Sequence, residues 1–323
     1  MLQLSRDELV KAYRSMATIR AFEDAVHVAC RDGEIPGYVH LCAGQEAAAV
    51  GVCIHLKETD FVFGTHRSHG QCIAKDCDPF AMMKEIYGKA DGLCKGKGGS
   101  MHLASPEKGI AGTNGINAGG LPLACGAALA AKTLRSGAIA VAFAGDGAAN
   151  QGTTFECLNL ASIWKLPVVF VFENNGYAAS TAAGFTVACG DIAKRAEGFG
   201  MPGQIADGAD FFAVYDAFLD LAERARDGQG PGLLELKLHR FYGHYEGDAQ
   251  TYRAQREVDD LRANKDCLRL FRRRVTETSL LDNDQLDAVD SEIKTMIGQV
   301  LEQARAAPFP TPDDLLLDVY ASY

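Results

Sequence analysis

Uninterrupted apolar runs alternate with amphipathic stretches through the middle of the chain. The apolar runs are short and predict buried strands at 138–144, 167–173 and 232–238. The intervening stretches repeat apolar residues at helical spacing and predict helices at 122–134, 151–164 and 210–227. Strands that are apolar on both sides are typical of parallel sheets with helices on both faces. The pattern therefore predicts an α/β fold with a parallel sheet between two helical layers.

Both ends of the chain have helical patterns. Near the start, Ser5 and Glu8 have the spacing of a capping box, and apolar residues follow at roughly helical spacing. Near the end, 254–275 and 284–304 are amphipathic. One face of the second stretch carries Leu286, Val289, Ile293, Ile297, Val300 and Ala304. We therefore expect helical extensions on both sides of the α/β core.

The segment 88–120 is unusually rich in glycine, with ten glycines in 33 residues. Glycine costs about 1 kcal/mol in a helix interior, so regular elements are disfavoured there. Varied side chains interrupt the glycines, which favours functional loops over a plain linker. These side chains are Lys95, Lys97, Met101, His102 and Asn114. The two lysines fit either a solvated basic loop or a phosphate contact, and the pattern alone does not separate these alternatives.

Composition and net charge restrict the class of protein and its partners. The 323 residues are 47% hydrophobic and 23% charged, which is typical of a globular protein. No internal repeat is visible, and we expect one domain over 1–323, with a helical segment at about 1–35 and a helical extension at about 254–323. The net charge of −10 argues against a general nucleic-acid or anionic-membrane surface.

The cellular location is predicted from the absence of membrane and export signals and from the pattern of cysteines. No apolar run approaches the length of a membrane span, and the first residues lack the pattern of a signal peptide. The ten cysteines are scattered and form no CxxC pair, which favours reduced thiols over zinc binding or disulfides. These features predict a cytoplasmic protein with neither nucleic acid nor a membrane as partner.

Polar residues directly follow two of the predicted strands. Asp146, flanked by glycines, comes after the strand 138–144, and Asn174-Asn175 comes after the strand 167–173. These strands belong to one strand–helix–strand unit, so their carboxyl ends are expected to be neighbours at the edge where open α/β sheets bind ligands. Carboxylate, amide and carbonyl oxygens suit Mg²⁺ bound together with a phosphate group. Singly, Asp146 fits a helix N-cap and the asparagines fit a turn, but their matching positions favour a metal–diphosphate site.

Several long motifs carry a family resemblance. They are His40-x-x-x-Gly44-Gln45-Glu46-Ala47, His66-Arg67-x-His69-Gly70, Lys95-Gly96-Lys97-Gly98-Gly99-Ser100-Met101-His102, Asn114-Gly115-Ile116, Gly145–Gly152, Glu173–Tyr177 and Gly243-His244. Through them the chain resembles the alpha subunit of the thiamine-diphosphate-dependent first component of 2-oxoacid dehydrogenase complexes, including the acetoin dehydrogenases. The resemblance covers nearly the whole chain. It implies a thiamine-diphosphate-binding fold, with thiamine diphosphate and Mg²⁺ as cofactors.

The resemblance also assigns roles to residues by their positions in the motifs. The implied Mg²⁺ ligands are Asp146, the Asn175 side chain and the Tyr177 backbone carbonyl. The implied diphosphate contacts are His66, Arg67, His244 and the backbone of Gly147 and Ala148. Gly115 and Asn117 would approach the aminopyrimidine, and His40, His69 and His244 would lie near the reacting carbon. His66 stands where relatives often carry tyrosine, and Asn117 stands where many carry an aliphatic residue.

Partners and a substrate follow from the same resemblance. The cofactor would lie between two subunits, and a separate beta subunit would supply the glutamate that activates the aminopyrimidine. The implied assembly is an α₂β₂ heterotetramer docked on a lipoyl-bearing acyltransferase core. The residues that follow His244, and the triplet Thr65-His66-Arg67, are closer to the acetoin dehydrogenase alpha subunits. The implied reaction is cleavage of acetoin to acetaldehyde, with oxidative transfer of the remaining two-carbon unit to lipoamide and on to acetyl-CoA.

Three alternatives stand beside that interpretation. Oxidation of pyruvate or of a branched-chain 2-oxoacid uses the same family of subunits. A nicotinamide-dependent dehydrogenase is also α/β, but the residues around Asp146 lack the GxGxxG spacing. A non-catalytic structural subunit is the alternative from a different class.

Overall fold

A six-stranded parallel sheet forms the centre of the structure, a computed structural model that describes residues 4–320. Its strands are β1 (Phe61–Gly64), β2 (Ile110–Thr113), β3 (Ala140–Gly145), β4 (Val168–Asn174), β7 (Gly203–Asp207) and β8 (Gly232–Lys237). A separate antiparallel hairpin consists of β5 (Tyr177–Ala178) and β6 (Thr181–Ala182). The strand order in the sheet is β2-β1-β3-β4-β8-β7. The predicted parallel sheet is confirmed.

The predicted pairing of the two central strands is also found. β3 and β4 are neighbours in parallel, with register from Ala140 opposite Val168 to Gly145 opposite Glu173. Both strands therefore end at the same level. The residues that follow them, which include Asp146, emerge side by side at the carboxyl edge of the sheet.

Helices cover both faces of the sheet. They are α1 (Arg6–Arg31), α2 (Glu46–Cys53), α3 (His69–Ala74), α4 (Pro79–Ile86), α5 (Gly120–Leu134), α6 (Gly152–Ile163), α7 (Phe211–Arg226), α8 (Glu257–Asn264), α9 (Cys267–Glu277) and α10 (Asn283–Ala306). Alternate residues of β4 point to opposite layers: Val169 and Val171 join the core with α1, α2 and α7, whereas Phe170 and Phe172 join the core with α5 and α6. The two core clusters explain why the strand sequences are apolar throughout.

The terminal helices follow their sequence patterns closely. At the start of α1, Ser5 Oγ accepts a hydrogen bond from the Glu8 backbone N–H at 3.3 Å, and Glu8 Oε2 accepts from the Ser5 N–H at 2.8 Å. The capping box is therefore present. On α10, all six residues of the predicted apolar face are buried against the core. The predicted helical character of both extensions is found, while the division of the whole chain into one domain stays a prediction.

The amphipathic stretch 254–275 forms two helices with a break between them. α8 ends at Asn264, and the Asp266 side chain caps the start of α9 by accepting from the Leu268 N–H at 3.0 Å. An N-cap of this kind stabilises the start of a new helix without disturbing the apolar spacing. The spacing of apolar residues therefore did not reveal the break.

The glycine-rich segment is organised by one buried acid. The carboxylate of Glu85, on α4, accepts four backbone N–H groups of the segment at 2.7–3.0 Å. The donors are Cys94, Gly96, Gly98 and Gly99. The Lys95 side chain contacts Asp318, and the Lys97 side chain donates to the Leu317 carbonyl near the chain end. The lysines thus hold the C-terminal segment to the glycine-rich loop.

Two further expectations concern cysteines and membranes. All ten cysteines are free thiols, and most of them are buried. Among residues 4–320, no helix has both the length and the apolar character needed to cross a membrane.

Candidate functional site

A cleft of about 320 Å³ opens at the carboxyl edge of the sheet. Its walls are the loops that follow β1, β2, β3, β4 and β8, together with the segment before α2. The predicted site residues that line it are His40, His66, Arg67, Gly115, Asn117, Asp146, Gly147, Ala148, Asn175, Tyr177 and His244. Residues separated by up to two hundred positions in sequence are thus brought to one place, and of the predicted set only His69 is absent from the lining.

One end of the cleft offers oxygen ligands. Asp146 is 2% exposed, and its Oδ2 has no hydrogen-bond partner. Burial raises the pKa of the Asp146 carboxyl above its ordinary value, while its own backbone hydrogen bonds and the nearby Arg240 oppose the rise. A buried carboxylate oxygen without a donor is unfavourable unless a ligand completes it. A hard cation is the ligand that this oxygen fits.

The two adjacent asparagines have different environments. Asn174 donates to Glu235 Oε1 at 2.7 Å and accepts from the Gly176 N–H at 3.2 Å, so its side chain is fully used inside the fold. Asn175 makes a long contact of 3.4 Å to the Tyr177 N–H and lines the cleft. The structure therefore leaves the Asn175 amide available beside Asp146, and gives Asn174 a structural role.

Gly147 lies where two loops approach closely. A Cβ at this position would meet the Cβ of Ala178, in the β5–β6 hairpin, at 2.8 Å. Any side chain would force the hairpin away from the Asp146 loop. Glycine at 147 thus fixes the width of the cleft between the loops after β3 and β4.

Two buried guanidinium groups make the same region positive. Arg67 donates to the Leu41 carbonyl at 2.5 Å and to the His244 carbonyl at 2.7 Å. Burial, with Arg240 nearby, lowers the pKa of Arg67 to about 9. Arg240 is fully buried, and its Nε and Nη1 lack hydrogen-bond partners. Unpaired buried donors beside a polar cleft favour an anionic ligand.

Three imidazoles form a cluster on the cleft wall. The rings of His40, His66 and His244 have centroids 4.4–5.4 Å apart. Burial, with Arg67 as the next cause, lowers their pKa values to about 3, about 2 and about 4, so all three rings are uncharged near neutral pH. Their nitrogens lie within 4.8 Å of one another, which is compatible with a bound cation. The Arg67 guanidinium, 3.4 Å from His244 Nδ1, disfavours a cation there and favours polar or anionic groups.

His69 lies behind the cleft wall, with both ring nitrogens occupied. Its Nδ1 is 2.6 Å from Glu23 Oε1, and its Nε2 is 2.9 Å from Ser100 Oγ. The ring is completely buried. In this arrangement His69 joins α1 to the glycine-rich loop, and a contact of His69 with reacting atoms stays a prediction.

Three polar residues of the site received no individual role from the sequence. They are Gln45, Glu173 and Arg240. Gln45 and Glu173 line the cleft, and both were part of the motifs. Glu173 accepts from Gln71 Nε2 at 3.0 Å, and burial raises the pKa of its carboxyl to about 7. The positions of Gln45 and Glu173 inside motifs were a usable signal, whereas nothing in the sequence marked Arg240.

Comparison with known proteins decides the family. The model of the dehydrogenase E1 component family matches residues 14–313. The chain belongs to the dehydrogenase E1 component family. It is 56% identical to the alpha subunit of acetoin:2,6-dichlorophenolindophenol oxidoreductase of Cupriavidus necator, and the match covers 100% of this chain and 97% of the relative. The corresponding Bacillus subtilis subunit is 48% identical, over 100% and 96% of the two chains. The alpha subunit of the pyruvate dehydrogenase E1 component of Rhizobium meliloti is 37% identical, over 98% and 91%.

The E1 component family depends on thiamine diphosphate, and the cleft fits this cofactor. Asp146 contributes an unpaired buried acid oxygen to the cleft, and Arg240, buried behind it, has unpaired donors. A metal-bound diphosphate requires a carboxylate to bind its cation and guanidinium groups to bind its phosphate oxygens. Arg240 lies next to the cleft, because its Nη2 donates at 3.3 Å to the carbonyl of Ala179, which lines the cleft.

Proposed function

We propose that this chain is the alpha subunit of an acetoin dehydrogenase that uses thiamine diphosphate and Mg²⁺. The main support is the full-length identity of 56% and 48% to two acetoin oxidoreductase alpha subunits, against 37% to a pyruvate dehydrogenase subunit. Acetoin carries no charge, and the uncharged imidazoles of His40, His66 and His244 suit a neutral substrate.

The proposed binding residues divide by chemistry. Asp146, the Asn175 side chain and the Tyr177 carbonyl hold Mg²⁺. Arg67, His66, His244 and the backbone of Gly147 and Ala148 hold the diphosphate. Gly115 and Asn117 contact the aminopyrimidine. His40 and His244 face the substrate, and His69 acts through the loop that it supports.

Bound thiamine diphosphate supplies a nucleophilic carbon and an electron sink for carbonyl chemistry. The protein must orient the substrate and move protons around it. His40 Nδ1 is buried, uncharged and without a partner among residues 4–320, so it can accept a hydrogen bond from a substrate hydroxyl. Burial and the Arg67 guanidinium, which the Leu41 and His244 carbonyls hold in place, keep the His244 imidazole uncharged and so suited to hydrogen bonding with the substrate.

A beta subunit is the proposed partner, in an α₂β₂ assembly on a lipoyl-bearing acyltransferase core. The relatives from Cupriavidus necator and Bacillus subtilis are named as alpha subunits. In this chain, α5 and the end of α6 expose apolar side chains: Leu134 is 77% exposed, Ile163 is 66% exposed and Trp164 is 46% exposed. Exposed apolar groups on neighbouring helices favour coverage by another subunit. A cytoplasmic location stays a prediction.

A comparison of substrates tests the proposal. The chain is co-produced with its beta subunit, and reduction of 2,6-dichlorophenolindophenol is followed with acetoin, pyruvate or 3-methyl-2-oxobutanoate. We expect kcat/KM for acetoin to exceed both others by more than about tenfold, which corresponds to about 1.4 kcal/mol of transition-state discrimination. A preference for pyruvate would overturn the substrate. No turnover on all three, with no rise in melting temperature on adding cofactor and Mg²⁺, would favour a structural subunit.

A further inference from the structure

Gln45 is a buried amide in the cleft wall that has no partner. The residue is 2% exposed, and neither its Nε2 nor its Oε1 makes a hydrogen bond. It lines the same cleft as His40 and Asp146. Leaving a buried amide unpaired costs about 1–3 kcal/mol for each polar group. The burial of this unpaired amide is best explained by a ligand that forms hydrogen bonds with it.

The backbone around Gln45 is fixed, so the amide has little freedom to find another partner. Gly44 adopts φ +96°, and a Cβ there would meet the His239 carbonyl oxygen at 2.5 Å. The next residue, Glu46, is fully buried and accepts from the Gly44 N–H at 3.0 Å and from Arg20 Nε at 2.5 Å. Gln45 precedes α2, but its side chain makes no capping hydrogen bond. The turn therefore presents the amide to the cleft.

We propose that Gln45 is the residue that recognises a substrate with adjacent carbonyl and hydroxyl groups. Its Nε2 donates to the substrate carbonyl oxygen, and its Oε1 accepts from the substrate hydroxyl. The inference rests on the proposed acetoin dehydrogenase function and deepens it. A primary amide has one donor group and one acceptor, which matches the two functional groups of a hydroxyketone.

His40 complements this recognition from the same wall. Its unpaired Nδ1 gives the cleft a further acceptor near the amide. A substrate hydroxyl held by Gln45 Oε1 then has an uncharged imidazole beside it. The amide thus holds the substrate, and the imidazole adds a second polar group beside the substrate hydroxyl.

The test uses the Gln45→Leu variant in the complex with the beta subunit. Leucine has a similar volume and removes both polar atoms. We expect KM for acetoin to rise by at least about tenfold, because two hydrogen bonds are lost. The inhibition constant of butan-2-one, which keeps the carbonyl and lacks the hydroxyl, should rise by only about threefold, because only one hydrogen bond is lost. The affinity for thiamine diphosphate should not change.

Stability separates recognition from a structural role. An amide that served only the fold would lose stability on replacement, whereas an unpaired buried amide replaced by leucine should leave the melting temperature unchanged or higher. Gln299→Leu, at an exposed position on α10, is the matched control and should change none of these quantities.

Each outcome has one meaning. If the wild-type complex turns over acetoin but Gln45→Leu keeps the wild-type KM, the role of Gln45 is wrong while the proposed function stands. A weakened cofactor affinity in Gln45→Leu would assign the amide to the cofactor and would also overturn the inference. If the wild-type complex does not turn over acetoin at all, both proposals fail together.

Discussion

The Asp146→Ala variant is expected to lose Mg²⁺-dependent binding of thiamine diphosphate and to keep its fold. The Asp146 carboxylate is buried at the end of β3, and its Oδ2 has no hydrogen-bond partner among residues 4–320. Removing it deletes a proposed direct ligand of the metal. Changes in the outer shell of metal sites cost about 10- to 100-fold in affinity, so loss of a direct ligand should cost more than about 100-fold.

The fold should not suffer, because no side-chain hydrogen bond of Asp146 holds other elements together. We expect the melting temperature without cofactor to equal or exceed that of the wild type. Calorimetric titration of thiamine diphosphate into the αβ complex, with Mg²⁺ and then with a chelator, measures the effect. Asp220→Ala, which removes an exposed carboxylate on α7, is the matched control. Unchanged Mg²⁺-dependent affinity in Asp146→Ala would rule out the metal assignment.

The second large effect concerns the partner subunit: the chain alone should have less than about 1% of the activity of the reconstituted complex. Two carboxyl groups line the cleft among the described residues, from Asp146 and Glu173. Asp146 is assigned to the metal, and Glu173 is bound to Gln71 at 3.0 Å. In the proposed assembly the beta subunit supplies the glutamate that activates the aminopyrimidine, and acid–base catalysis typically contributes about 10²- to 10⁴-fold.

Mixing experiments with acetoin and the dye acceptor measure this dependence. Activity should rise with added beta subunit and saturate at equal amounts of the two chains. Ile163→Glu, on the exposed apolar face, should weaken assembly, whereas Gln299→Glu on α10 should not. Turnover by the purified chain alone, at a rate comparable with the mixture, would contradict a shared active site.

The core of the fold could be predicted from the sequence because apolar residues recur along it at the spacing of buried helices and strands. The six apolar positions of α10 predicted the buried face completely, and the runs around β3 and β4 predicted both strands to within two residues at each end. Shorter elements were harder. β1 and β2 have four residues each, which is too short for periodicity to separate a strand from a loop.

The candidate site was predictable where function follows from position at a strand end. Asp146 and Asn175 follow neighbouring parallel strands, and the topology alone brings them together. Arg240 and Gln45 depended on tertiary packing instead. Their importance lies in being buried with unpaired atoms, and a sequence does not show which atoms will lack partners.

His69 shows the opposite case. Its position between Arg67 and Gly70 suggested a place near the reacting carbon, but Glu23 and Ser100 enclose its ring. Glu23 lies on α1, 46 residues earlier in the chain. A contact over that separation arises from the packing of α1 against α3, so the loop motif alone could not indicate it.

The central claim is that Asp146, Asn175 and Tyr177 hold the metal of a diphosphate site shared with a second subunit. It is tested most directly by a crystal structure of the αβ complex with thiamine diphosphate and Mn²⁺ in place of Mg²⁺, recorded at the manganese absorption edge. The account predicts one anomalous peak per cleft, about 2.1 Å from an Asp146 carboxylate oxygen, the Asn175 side-chain oxygen and the Tyr177 carbonyl oxygen. A peak away from these three atoms, or a cofactor whose diphosphate lies outside the cleft, would contradict it.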